Sequence, residues 1–175
     1  MTGQTSASAL VEQIDSKALE ELAAKVLREA CAREWTVATC ESCTGGLLAS
    51  LLTDVEGLSH AFERGVVAYT DRAKAELLDV PPEFIADHGA VSSPMAEAMA
   101  KGMLLRSQAD LAVAVTGFAG PAGPDDEPGL VYVAAAGPRA TNIRELHLGD
   151  IGRSAVRNRA AFDALTMLLH LLDCR

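Results

Sequence analysis

"VATCESCTGGLLASLL", residues 37–52, begins as a short apolar strand, breaks at a turn and restarts as an apolar helix. A strand that stops at paired glycines and gives way to a helix is a step of an α/β fold. The break holds Cys40 and Cys43 in CxxC spacing, Ser42 between them, then Thr44, Gly45 and Gly46. Three readings compete for it: a redox dithiol, a serine nucleophile on a sharp turn, or a glycine-rich connection.

The flanking sequence extends the pattern. Leu19, Leu22, Ala23, Val26, Leu27 and Ala30 recur at helical spacing behind Ser16, a candidate N-cap. After the opening stretch, "GVVAY" (65–69) reads as a strand and "TDRAKAELLDV" as a helix capped by Thr70 or Asp71. Pro81-Pro82 ends that helix. "VSSPMAEAMAKGMLLRS" is a helix with Ser93 at its cap and Pro94 in first position. "DLAVAV" is an apolar strand covered on both faces, and "TGFAGPAGPDDEPG" a Gly/Pro loop. "LVYVAAA" and "NIRELHL" form an antiparallel pair, and a last helix spans about 153–172. Its apolar stripe is wide enough that part of it is expected to meet a second subunit, making a homodimer or higher homo-oligomer. The sum is a three-layer α/β/α sandwich around a mixed, mostly parallel sheet, in one domain from residue 15 to 175 behind a flexible tail, 1–14.

Composition removes several functions. The net charge of −9 excludes a phosphate-backbone binder, so no nucleic-acid partner is expected. No apolar run is long enough to span a membrane, and the N-terminus lacks a basic then apolar leader, so a cytoplasmic chain without a membrane partner is expected. Cys31, Cys40, Cys43 and Cys174 are then expected to be thiols. His60, His88, His147 and His170 lack metal-ligand spacing, and Asp125, Asp126 and Glu127 read as a solvated acidic loop; no metal is expected.

Ligands of open α/β sheets gather beyond the strand carboxyl ends, where Cys40–Gly46, Tyr69–Lys74 and Thr116–Gly123 should meet. Ser42 would project there, and Gly45 and Gly46 would let a substrate approach the backbone closely. The serine needs a base, and no His–Asp pair offers one. Lys74 lies near the start of its helix, where the dipole and burial both disfavour an ammonium, so a Ser42–Lys74 dyad competes with a solvated lysine.

"ESCTGG", "GVVAYTDRAK", "HGAVS", "AVTGFAGPAG" and a late "GD…R…VR" occur in that order over roughly residues 18–172. Together they resemble the CinA C-terminal domain family, which includes amidases that hydrolyse the carboxamide of nicotinamide mononucleotide. The resemblance implies Ser42 as nucleophile, Lys74 as general base and Tyr69 in the same catalytic cluster, with no cofactor. It implies a pyridine mononucleotide held by Cys43, Thr44, Gly45, Gly46, Asp71, Thr116, Gly117 and Gly120, with Arg153 or Arg157 meeting its charge. Three features depart from the family pattern: Cys40 replaces an alanine, Asp71 an asparagine, and "PAGPDDEPGLV" a longer, glycine-richer loop. They keep two alternatives open: a nucleotide-binding or regulatory module without turnover, and a Cys40/Cys43 dithiol oxidoreductase.

Overall fold

The computed structural model describes residues 14–120, 123–124 and 126–173. Of the expected tail, residues 1–13 lie outside these, as do Asp125 and Cys174, while Ile14 packs against the core. In chain order the elements are α1 (Ser16–Cys31), β1 (Val37–Glu41), α2 (Leu47–Thr53), β2 (Phe62–Val67), α3 (Asp71–Leu78), α4 (Pro82–His88), α5 (Ser93–Leu105), β3 (Leu111–Gly117), β4 (Leu130–Ala136), β5 (Thr141–His147) and α6 (Arg153–Asp173), with one 3₁₀ turn at Ser59–Ala61.

The sheet runs β2-β1-β3-β4-β5. β1 pairs parallel with β2 and β3, while β3–β4 and β4–β5 are antiparallel, so only β4 opposes the common direction. Side-chain alternation sorts the core into two layers. Val37, Val113, Val115, Val131 and Val133 face α1, α2 and α6; Ala38, Cys40, Ala112, Ala114, Ala134 and Ala136 face α3, α4 and α5. The alanine-rich face lets Met95, Met99 and Met103 of α5 fill the gap, which is how a chain with 4% aromatics builds a dense core.

Local chemistry moves several boundaries. Asp15, not Ser16, caps α1 by accepting from the Ala18 N–H at 2.7 Å. Ser92, not Ser93, caps α5 through the Met95 N–H at 3.2 Å, and Pro94 becomes its second residue. Thr70 caps α3 through the Ala73 N–H at 3.1 Å. β2 starts earlier than "GVVAY" and stops at Val67, because its last rung faces Glu41, the end of β1. Tyr69 therefore lies in the loop beyond the strand. Pro82 does follow the end of α3 but also opens α4, since its missing N–H costs nothing in a first turn.

The apolar stripe of α6 is covered within the chain. Ala160, Ala161, Ala164, Leu165, Leu168, Leu169 and Leu172 are buried against α1 and the sheet, which removes the expectation that part of this stripe meets a second subunit. Asp163, buried on the same helix, is held by Arg144 of β5 and by Arg159.

α3 and α5 cross at Gly102, where a β-carbon would lie inside contact distance of the Leu78 carbonyl oxygen. In an exposed helix Gly→Ala stabilises by about 1 kcal/mol. Here the clash is with backbone and dominates, so Gly102→Ala is expected to destabilise by about 1–3 kcal/mol. Urea unfolding measures it, and a raised midpoint would show that the helices part freely.

Candidate active site

The connections leaving β1 diverge: the chain passes to β2 on one side and returns to β3 on the other. Open α/β sheets bind ligands at such a divergence, beyond the carboxyl ends. Ser42 is the first residue past β1 there, its N–H donating to the Val115 carbonyl at 2.9 Å.

Two overlapping turns follow. The Gly45 N–H donates to Ser42 O at 3.1 Å, and the Leu47 N–H to Thr44 O at 3.3 Å. Gly45 and Gly46 have φ of +60° and +93°, left-handed values that a side chain resists. The turn is locked from below by Glu41, which is fully buried. Its Oε2 accepts from Gly46 N–H at 3.0 Å and Leu48 N–H at 3.1 Å, and its Oε1 from Ala49 N–H at 2.9 Å. The carboxylate thus occupies the amide donors that open α2. Gly45 and Gly46 shape the turn, and their N–H groups are already engaged. Among the described residues, the N–H groups of Cys43 and Thr44 meet no backbone carbonyl and no carboxylate, and face the Cys43 sulfur.

A cavity of about 260 Å³ opens over Ser42. It gathers Cys43, Tyr69, Asp71, Lys74, Thr116, Gly117, Gly120 and Arg153 of the expected site, and adds Ala90, Val91, Phe118 and Ala119. Ser42, Lys74 and Thr116 form its buried floor, while Tyr69, Asp71 and Arg153 are exposed on its rim. Thr44, Gly45, Gly46 and Arg157 do not line it. Arg157 instead donates through Nε and Nη2 to the Thr44 carbonyl at 2.9 and 2.6 Å. Arg153, one helical turn earlier, lies against Gly120, where a β-carbon would fall on its guanidinium.

Lys74 is the unusual group. Its side chain is 2% exposed, and Nζ stands 3.7 Å from Asp71 Oδ1 without a hydrogen bond to Ser42. Burial lowers its pKa below the ordinary lysine value; Asp71, by charge and hydrogen bonding, and more weakly Cys43 oppose that shift. Asp71 is 63% exposed, so water screens its charge and burial prevails.

Thr116 Oγ1 donates to the Ala90 carbonyl at 2.7 Å, joining "HGAVS" to the end of β3. Gly117 is required because a β-carbon would strike Leu130 and Val131 of β4. In the acidic loop, Asp126 accepts from the Gly123 N–H at 3.2 Å and Glu127 from His147 at 2.8 Å. His60 meets Cys31 Sγ at 3.3 Å, and His88 packs on Phe84; no histidine lines the cavity.

The dithiol reading does not survive this arrangement. Cys40 packs on the α5 face, its Sγ donating to Met99 O at 3.3 Å, while Cys43 packs on the opposite face. Both are free thiols. Burial, reinforced by the Glu41 charge, drives the Cys40 thiol far above its ordinary value. Burial pushes Cys43 up to about 12 despite its own N–H, Arg157 and the Thr44 N–H. A dithiol catalyst needs a thiolate near neutral pH.

Comparison with known proteins identifies the family and the fold. The family model "CinA C-terminal domain" matches residues 19–172. The CinA-like protein of Anaeromyxobacter sp. (strain Fw109-5) is 44% identical over 160 residues, covering 90% of this chain and 38% of that protein. The CinA-like protein of Syntrophus aciditrophicus is 42% identical over 160 residues, covering 90% and 37%. The chain therefore spans less than two-fifths of the length of these curated relatives. Among solved structures, the competence/damage inducible protein CihA from Agrobacterium tumefaciens superposes with TM-score 0.84 at 42% identity, covering 87% of this chain and 94% of that one. A CinA superfamily protein from Escherichia coli gives TM-score 0.84 at 33% identity, covering 92% and 94%.

Glu41→Gln sets an NH₂ against at least one of the three backbone donors. A buried donor left without its acceptor costs about 1–3 kcal/mol, and that loss is expected in urea unfolding. An unchanged midpoint would mean the turn holds itself.

Proposed function

The chain belongs to the family of CinA C-terminal domains, and from that premise we propose that it hydrolyses the carboxamide of nicotinamide mononucleotide to nicotinic acid mononucleotide and ammonia. The observation that carries the reading is a buried lysine, held below its ordinary pKa, in the same cavity as a serine at the end of β1. The cavity, about 260 Å³, is just below the roughly 300–1,000 Å³ usual for small-molecule sites, and its rim of Tyr69, Asp71 and Arg153 is open to solvent.

In this mechanism Ser42 Oγ attacks the carboxamide carbon while neutral Lys74 Nζ takes the hydroxyl proton. The tetrahedral oxyanion accepts from the N–H groups of Cys43 and Thr44, which no backbone carbonyl engages; such donors contribute about 3–4 kcal/mol each where measured. Lys74 returns the proton to the nitrogen, the C–N bond breaks and ammonia leaves an acyl-Ser42. Lys74 then deprotonates a water, whose oxygen attacks the acyl carbon, and collapse restores the Ser42 hydroxyl. Every proton is carried by Lys74, so the scheme calls for no cofactor. Tyr69 closes one side of the mouth, and Arg153, exposed against Gly120, is assigned to the phosphate. Unpaired Cys31, Cys40 and Cys43 support a reducing, cytoplasmic setting, and no helix of the described residues is long and apolar enough to cross a membrane.

One observation favours a nucleotide-binding module without turnover. Asp71, where the family carries asparagine, stabilises the Lys74 ammonium that a base must lose.

Ser42→Ala is expected to abolish ammonia release from nicotinamide mononucleotide while the circular dichroism spectrum stays unchanged; undiminished release by the folded variant would sink the mechanism. Asp71→Asn tests the second reading. Activity needs the neutral amine, so it rises as pH climbs through the Lys74 pKa. Removing the carboxylate lowers that pKa, and the rise should shift to lower pH. Superimposable pH–rate profiles would reduce Asp71 to a helix-terminal residue.

A further inference from the structure

We infer that Arg157 is a positioning residue for the nucleophile's turn and not a ligand of the substrate, an inference that rests on Ser42 being the nucleophile. Arg153 and Arg157 stand one turn apart on α6, yet they reach different things. Arg153 is exposed at the cavity rim. Arg157 is half-buried and grips one backbone oxygen, that of Thr44, with two N–H groups.

That oxygen joins the two turns. Thr44 O accepts from Leu47 N–H, closing the second turn, and the same peptide unit carries the Gly45 N–H that closes the first on Ser42 O. Arg157 therefore fixes one end of the peptide plane whose other end is already tied to the nucleophile's own residue. With both ends held, the plane cannot rotate about its neighbouring dihedrals, φ and ψ being the only soft ones. The orientation of Thr44, and with it the N–H offered to an oxyanion, follows from this restraint. Glu41 acts on the far side, holding Gly46, Leu48 and Ala49. The turn is thus gripped by a carboxylate on its N–H groups and a guanidinium on its carbonyl. These charge-assisted contacts are stronger than neutral ones, and two N–H groups of the planar guanidinium converge on the one carbonyl oxygen.

A second observation points the same way. The Arg157 charge acts on the Cys43 thiol, opposing its upward shift, so a positive charge is felt beside the nucleophile without entering the cavity. Two of the five guanidinium donors are committed to backbone, and the side chain does not line the cavity where a substrate phosphate would sit.

The test compares Arg157→Ala and Arg157→Lys with Arg153→Ala on nicotinamide mononucleotide and on nicotinamide riboside, which lacks the phosphate. Arg157→Ala should lower kcat by about 10–100-fold on both substrates with KM nearly unchanged, less than the loss of a whole oxyanion donor because the N–H groups remain. Arg157→Lys should recover part of that kcat, and added ethylguanidinium should restore part of it in Arg157→Ala. Arg153→Ala should instead raise KM for the mononucleotide alone. A higher KM for the mononucleotide in Arg157→Ala, with kcat and the riboside unaffected, would overturn the inference. Hydrogen exchange over the peptide 42–49 supplies a readout that does not need turnover. It should quicken at least tenfold in Arg157→Ala while α1 and β3 stay protected, and unchanged exchange rejects the positioning role. If wild-type protein releases ammonia from neither amide, the amidase reading fails, and exchange alone then decides Arg157.

Discussion

A fully buried carboxylate holds the site together. Glu41 ends β1, an interior strand between β2 and β3, and turns inward to accept three backbone N–H groups from the start of α2. A carboxylate without partners would be costly there, and three amide donors at a helix start compensate it. The contact fixes where β1 stops, how sharply the chain reverses and where α2 begins. Ser42 follows by one residue, so its position is a consequence of how Glu41 is satisfied. The left-handed Gly45 and Gly46 give the chain the room to return its amides to that carboxylate.

Across the cavity, Lys74 reflects a balance between two forces. Desolvation disfavours its ammonium, and the nearby Asp71 favours it. Because the lysine is buried and the aspartate faces water, desolvation dominates and the amine stays below its ordinary pKa. The same balance separates catalyst from binding module. A drier Asp71 would hold the proton on the lysine, and its absence would release the proton more readily.

Much of this was legible in the sequence. The 3.6-residue spacing of α1, the unbroken apolar run of β3 and the Gly-Pro break before β5 report burial directly, and the structure follows them. Ser42, Lys74, Thr116 and Arg153 do converge, because strand ends in an α/β sheet face one crevice. What was not legible depends on long-range pairing. Whether a wide apolar stripe on α6 meets a second copy or its own chain cannot be read from period alone, since α1 supplies the cover 130 or more residues earlier. Arg153 and Arg157 look alike in sequence, and only the fold shows one at a rim and the other on a carbonyl. Glu41 passed as a motif letter. An acid at a strand end, six residues before the first residue of a helix that lacks a side-chain cap, was the available signal. The CxxC spacing brings no dithiol together, because Cys40 on the strand and Cys43 in the turn three residues later fall on opposite faces of the sheet.

The central claim is that Ser42 forms a covalent acyl intermediate with Lys74 as its base. Acid-quenching the protein during turnover of nicotinamide mononucleotide and mapping the peptide around residues 42–49 by mass spectrometry tests it directly. The account predicts the acyl mass on Ser42, present in wild type and missing in Lys74→Met. Steady ammonia release with the acyl group on Cys43, or with none on this turn, would contradict it.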